Sequence, residues 1–227
     1  MDIYFILVEP AVPENIGASA RAINTMGFQN LRLVNPANFP HEKASWVAHG
    51  SADILDQAGL YSTLENAIED LDFVIATSAK KRMVKWDSYP LEAVPELIRS
   101  KGTFVNTLGV VFGREEYGLK NQEINLCDMV SYIPLHRPYP SLNLAQAVML
   151  YAYHLSGYRG KTRPYSVPGH SERYRKVKEK TQQILHHIGI LESDAKHGRI
   201  LERLSVLSES DLHLLLSVTR ALDQRLK

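Results

Sequence analysis

Cysteine occurs once in the 227 residues, as Cys127. A single cysteine closes no internal disulfide, so stability must come from a packed core, and a reducing, cytoplasmic setting is expected. The nine histidines are scattered and match no zinc-ligand spacing, so no metal is expected. No apolar run reaches the roughly 20 residues that a membrane span needs. The opening MDIYFILVEP has acids and no basic stretch, unlike a secretory leader. G-x-G-x-x-G after the first apolar run and G-x-x-x-x-G-K-[ST] are both missing, which sets aside the common dinucleotide and triphosphate sites. There is no internal repeat.

What is present describes a globular chain. Apolar residues make up 44 %, enough for a sizeable core. The net charge of +1 conceals an asymmetry. Residues 1–160 carry 13 Lys and Arg against 17 Asp and Glu, whereas residues 161–227 carry 13 against 8. A mildly acidic body thus bears a basic extension. Two readings of that extension stand: a grip on a polyanion such as nucleic acid, or a solvated helical face.

Apolar runs alternate with helical patterns. IYFILVE (3–9), LRLV (31–34), DFVIATS (72–78), TLGVVFG (107–113) and MVSYIP (129–134) read as strands. ENIGASARAINTMGF, ASWVAHGSADIL, LENAIEDL, LEAVPELIRS and SLNLAQAVMLYAYHL read as helices. This alternation predicts an α/β fold with a parallel sheet. The stretch 157–170 is rich in Gly, Pro and basic residues and reads as a linker. Beyond it lie amphipathic helices only, with Ser210 as an expected N-cap. The expected division is a sheet domain over 1–158, a linker over 159–170 and a basic helical extension over 171–227, with few contacts crossing the linker.

In open parallel sheets ligands bind beyond the C-terminal strand ends. Three such ends stand out: ATSA (76–79), FGREEYGL (112–119) and the proline-stiffened loop IPLHRPYPSLNLAQA (133–147). Small side chains and free backbone groups there suit an adenosine-type ligand. The two acids of GREEYG would repel phosphate.

ENIGASARAINTMGF (14–28), VFGREEYGL and PSLNLAQAV, in this order and spacing, resemble the SPOUT superfamily of RNA methyltransferases, in its TrmH-like 2′-O-ribose branch. With LVNP and ATSAKKRMVKW added, the chain is most similar to TrmJ-type tRNA methyltransferases, nearly continuously over residues 3–157. The resemblance implies a C-terminal trefoil knot, S-adenosylmethionine as cofactor, and a homodimer whose sites borrow residues across the interface. It implies 2′-O-methylation of structured RNA, most readily tRNA at the anticodon loop. Ribosomal RNA is the alternative substrate, and a non-catalytic knotted RNA-binding protein the alternative class.

On the family's pattern, Thr77, Ser78, Ala79, Gly113, Ile133, Pro140, Ser141 and Leu142 line the cofactor pocket, mostly through backbone atoms. Arg21, Glu115, Ser141 and Asn143 carry the catalysis. Asn15, Lys80, Arg82 and Arg114 meet the RNA. Where the family often has Arg after the small-residue strand end, this chain has Lys80, which keeps the charge but not the bidentate fork. Arg21 would hold a phosphate or the 2′-oxygen, and either Arg21 or Glu115 would accept the proton; arginine's pKa above about 12 favours Glu115. Simpler roles compete at several positions. Asn15 and Ser141 could cap helices, and Gly17 could be a packing contact. KKRMVKW (80–86) reads equally as a solvated loop or as an RNA grip with Trp86. His136 and Tyr139 are lesser candidates for substrate contact.

Overall fold

The computed structural model describes residues 1–79, 87–137, 141–157 and 173–225. Seven strands form one sheet: β1 (Asp2–Val8), β2 (Asn30–Val34), β3 (Gly59–Tyr61), β4 (Phe73–Ser78), β5 (Ser88–Pro90), β6 (Thr107–Phe112) and β7 (Met129–Tyr132). Their order is β3-β2-β1-β6-β4-β7-β5, and every neighbouring pair is parallel. β1 shows why it sits inside: Phe5, Ile6 and Leu7 are all fully buried, as a strand covered on both faces requires. Alternation then divides the core. Ile3, Phe5 and Leu7 join one apolar cluster, while Ile6 and Val8 join another on the opposite face.

Helices cover both faces. The sheet domain contributes α1 (Pro13–Thr25), α2 (Glu42–Ala48), α3 (Ala52–Asp56), α4 (Leu64–Ile68), α5 (Val94–Arg99), α6 (Asn121–Leu126) and α7 (Leu144–Ser156). The extension contributes α8 (Arg173–His187), α9 (Ala195–Leu204) and α10 (Glu209–Arg225). The sequence anticipated five strands; β3 and β5 are three-residue edge strands without an apolar run. The helix expected over 44–55 is two helices, because His49 and Gly50 both adopt positive φ, 26° and 71°, which breaks the turn. Ser210 is not the cap of α10. Ser208 stands before the helix, and its Oγ accepts from the Asp211 amide at 3.4 Å. No helix among the described residues is long and apolar enough to cross a membrane.

The extension departs from expectation in its contacts. The residues just before or at the starts of β4, β5, β6 and β7 all meet it. The Tyr174 ring stands edge-on to Phe73, with centroids 5.0 Å apart. Asp87 pairs with Arg199 and Arg203, and its amide donates to Glu202 Oε1. Thr103 donates its amide to Glu209 at 2.9 Å, and Asp128 pairs with Lys178. Tyr174, Val177, Leu204 and Leu212 belong to the main core cluster. The amphipathic pattern showed that these helices bury one face, but not that the sheet's N-terminal edge is what covers it. The expected linker itself, 159–170, lies outside the described residues.

Lys101 is the most unusual residue at this junction. It is completely buried, donates from Nζ to the Leu207 carbonyl at 2.6 Å, and lies 5.6 Å from the centre of the Phe73 ring. Burial lowers its pKa from 10.5 to about 8, against the pull of Asp128 and Asp211. Between those values the unfolded chain holds a proton that the folded chain has released. The cost of burying the charge is therefore present below about pH 8 and relieved as pH rises towards 10.5. Urea unfolding of wild type and Lys101→Met from pH 7 to 10 should show the wild type gaining stability relative to the variant, on the order of 2–3 kcal/mol. A constant difference across that range would contradict the buried charge.

Candidate active site at the C-terminal strand ends

The candidate cofactor residues gather on neighbouring strand ends. β4 pairs with β6 only as far as Ala76↔Val111, but with β7 as far as Ser78↔Tyr132. The strands therefore diverge on the β6 side at Thr77, Ser78 and Ala79. Gly113 follows β6 on that side and Ile133 follows β7 on the other. The sheet also changes winding direction here: the chain builds β1-β2-β3 outward, then crosses to β4, and β6 fills the gap left behind. Such a crevice is where open α/β sheets hold ligands. Pro140 lies outside the described residues, Ser141 is exposed and Leu142 half-buried.

The turn after β6 explains its glycine differently from the sequence reading. A Cβ on Gly113 would stand 2.1 Å from the Gly118 carbonyl carbon and 2.2 Å from the Leu119 nitrogen. The loop folds back on itself, with Gly118 N–H donating to the Arg114 carbonyl at 2.9 Å. Glycine is thus demanded already by the loop's own closure. Gly113→Val should lower the melting temperature as well as the affinity for S-adenosylhomocysteine, and calorimetry on one sample reads both. Wild-type melting with lost affinity would restore the ligand-contact explanation.

Arg114 turns inward, contrary to its expected role in holding substrate. Its side chain is 4 % exposed, forks onto Glu123 at 2.8 and 2.9 Å, and reaches Glu9 at 2.6 Å. These bonds to Glu123 and Glu9 raise its pKa despite burial, so it is a permanent structural cation. It ties the end of β1 to the β6 turn and to α6. Neither acid was singled out in the sequence; Glu9 takes φ 46°, which no sequence pattern announces.

Glu115, the next residue, faces the other way. Its Oε1 accepts from Asn15 Nδ2 at 2.9 Å and from the Val12 amide at 3.3 Å, and its Oε2 accepts from the Ala11 amide at 3.2 Å. Asn15 Oδ1 in turn accepts from Asn143 Nδ2 at 2.8 Å. Partial burial opposes the charge on Glu115, but the hydrogen bonds from Asn15 and the backbone outweigh it and hold the carboxyl below the usual range. Glu115 and Asn143, 100 and 128 positions beyond Asn15, are thereby joined to it at the mouth of the crevice.

Asn143 also caps α7. Its Oδ1 accepts from the Ala145 amide at 2.9 Å, and Gln146 Oε1 accepts from the Asn143 amide at 3.1 Å. Asn143 and Gln146 thus form a capping box, and the capping role considered for Ser141 falls to Asn143. Asn15 caps nothing, since Val12 is the N-cap of α1. Gly17 is a packing contact: a Cβ there would meet the Ala44 carbonyl oxygen at 2.0 Å, so α1 passes close against α2. α7 is seated on the sheet by Tyr151, whose hydroxyl and the Ser131 Oγ are 2.9 Å apart.

Arg21 stands apart from this cluster. It is exposed, about 9 Å along α1 from Asn15, and its guanidinium has no partner among the described residues. Beside it, Ala18 and Ala22 of α1 and Ala145, Met149 and Leu150 of α7 line an open, largely apolar groove. Cys127 is buried and its thiol is pushed up by that burial, so it offers no reactive sulfur. No group of three or more metal-ligating side chains occurs among the described residues. Lys80, Arg82, Trp86 and Tyr139 lie outside them, and His136 is exposed.

A model of the SpoU rRNA Methylase family matches residues 2–153, the whole sheet domain up to the last turn of α7. The chain belongs to the SpoU family. It is 38 % identical over 217 residues to the "Uncharacterized tRNA/rRNA methyltransferase LasT" of Escherichia coli, covering 95 % of this chain and 94 % of that one. It is also 38 % identical over 154 residues to the tRNA (cytidine-2′-O-)-methyltransferase TrmJ of Methanocaldococcus jannaschii, covering 66 % of this chain and 65 % of that one. Among solved structures, TrmJ from Z. mobilis superposes with a TM-score of 0.68 at 28 % identity, over 98 % of this chain and all of that one. The SpoU match ends before the extension, but LasT and the Z. mobilis structure extend the likeness through it.

Proposed function

We propose that this SpoU-family chain transfers a methyl group from S-adenosylmethionine to a ribose 2′-hydroxyl of tRNA in the anticodon loop. It acts as a cytoplasmic homodimer, with residues 1–158 as the catalytic unit and 171–227 as its helical cap. The observation that carries the reading is the Glu115–Asn15–Asn143 chain of hydrogen bonds at the strand-end crevice. It locks the arginine-bearing helix α1 to the loop that enters α7, at the edge where the cofactor residues meet. The relatives named for tRNA 2′-O-methylation support the same choice.

Thr77, Ser78, Ala79, Gly113, Ile133 and Leu142, with Pro140 and Ser141, would hold the adenosine part through backbone groups. The small side chains and diverging strands at this edge fit a ligand of that kind. The bound sulfonium supplies the methyl group and a good leaving group. The protein must then orient the hydroxyl and stabilise the charge that develops on its oxygen. Arg21 suits that task as a permanent cation. Glu115 has both oxygens engaged by Asn15 and two amides, so it positions Asn15, and the hydroxyl's proton leaves to solvent water as its oxygen bonds the methyl group. Arg21 lies too far down α1 to serve the crevice of its own chain. The groove between α1 and α7 would seat a second copy and bring the partner's arginine over the crevice. The entry of β6 between β1 and β4, with α7 returning onto α1, fits the implied knot.

Ribosomal RNA remains the second reading, because the relative matched over nearly its full length is named for both RNAs. Mapping ribose methylations in total RNA from cells with and without the gene separates them. Loss at an anticodon-loop nucleotide is expected. Loss confined to ribosomal RNA moves the substrate, and no loss at all overturns the proposal.

A further inference from the structure

α2 carries an exposed tryptophan. Trp46 is 65 % exposed, and it is the only tryptophan among the described residues. Lys43 lies one turn before it and His49 about one turn after it, both exposed. The opposite side of α2 is held hard against α1. Ala44 and Ala48 are buried, and the Ala44 carbonyl approaches Gly17 so closely that no side chain would fit between them. Lys43 is further tied to Glu14 at 3.4 Å. The indole therefore projects from a firmly seated mount.

The mount stands beside the crevice. α1 begins just beyond the C-terminal end of β1, and the loop into α2 begins beyond the C-terminal end of β2. Gly17, where α2 touches α1, is two residues from Asn15 of the hydrogen-bonded chain. Trp46 is thus on the same edge of the sheet as the cofactor residues, over the β1–β2 half. Its exposed neighbours are Glu42, Lys43, Ser45, His49 and Gly50. A single ring among polar groups offers a protein partner little apolar area. Stacking on a nucleobase needs only the ring, with a cation near enough for a phosphate.

We propose that Trp46 is a stacking platform for an unpaired base of the RNA substrate, with Lys43 contacting the adjoining phosphate. This rests on the reading of the chain as an RNA methyltransferase, and it gives the substrate a contact outside the crevice. The loop of a tRNA supplies unpaired bases beside the methylated ribose. The helix assigns Trp46 to binding, not to the chemical step.

The test uses full-length protein and an unmodified tRNA transcript. With Trp86→Phe in place, Trp46 is the sole tryptophan, and its emission should be quenched as tRNA is added. Trp46→Ala should bind tRNA roughly tenfold or more weakly, with KM raised to match. Its kcat and affinity for S-adenosylhomocysteine should stay near wild type, and Trp46→Phe should recover most of the loss. Lys43→Ala should lower the salt slope of binding by about one, whereas Trp46→Ala leaves it unchanged. Wild-type tRNA affinity in Trp46→Ala overturns the proposal. So does weakened binding with an altered oligomeric mass, which makes the ring a subunit contact. A wild-type protein that neither binds nor methylates tRNA overturns the functional reading and this one together, whereas a fully active Trp46→Ala overturns this one alone.

Discussion

Replacing Arg21 by alanine is expected to lower kcat by roughly 100- to 1000-fold, the usual cost of deleting a group that stabilises developing oxyanion charge. The affinity for S-adenosylhomocysteine and the melting temperature should hardly change. Both expectations follow from where the residue sits. Arg21 is exposed on α1, has no guanidinium partner among the described residues, and lies apart from the strand ends where adenosine would bind. Its backbone carbonyl accepts from Thr25 Oγ1 at 2.8 Å, a bond that alanine keeps. Isothermal titration and single-turnover methyl transfer on the same preparation separate the effects. A fall in cofactor affinity as large as the fall in rate would move Arg21 into the cofactor pocket.

Ending the chain near Arg159 should be just as damaging, but through stability. The sequence left two readings of the basic tail, a grip on RNA or a solvated helical face, with few contacts crossing the linker. Instead Tyr174, Val177, Leu204 and Leu212 are at most 3 % exposed and share the core with Phe73 and Phe104. Burial of each such side chain contributes about 1.5–3 kcal/mol, so the four together approach the 5–15 kcal/mol by which typical domains are stable. Truncation also exposes Lys101 by removing the Leu207 carbonyl, and it strips Asp87 and Asp128 of their cationic partners. The truncated protein should be insoluble or melt far below the full chain. A truncated protein that melts within a few degrees of the full chain and still binds S-adenosylhomocysteine would contradict this packing.

The same contrast shows what the sequence could carry. Long buried strands are legible because burial on both faces demands an unbroken apolar run, as in IYFILV. β3 and β5 make no such demand, since an edge strand of three residues is held by one neighbour. At the crevice, the types and order of Asn15, Glu115 and Asn143 drew attention to residues that the fold does join. The roles of adjacent residues were less readable. Arg114 and Glu115 differ by one position on a turn, and which of them points inward depends on Glu9 and Glu123 arriving from two other elements. Gly17 is the packing contact that its sequence reading allowed, whereas the loop closure that also requires glycine at 113 left no mark in the sequence. In the extension, Leu185 and Leu212 are buried as their spacing suggests, while Ile188 on the same pattern is 60 % exposed. Periodicity marks an apolar face but not the surface that meets it.

The central claim is that the crevice and α1 together methylate a ribose oxygen of tRNA. Purified full-length protein, S-adenosylmethionine carrying a labelled methyl group, and an unmodified tRNA transcript test it directly. A methylated 2′-oxygen cannot attack its own phosphodiester, so alkaline hydrolysis should leave the label in one alkali-resistant dinucleotide from the anticodon loop, and Asn15→Ala or Arg21→Ala should remove that product. Label recovered in a mononucleotide would place the methyl group on a base, and an unlabelled tRNA beside a labelled ribosomal RNA would take the substrate elsewhere; either result would contradict the account.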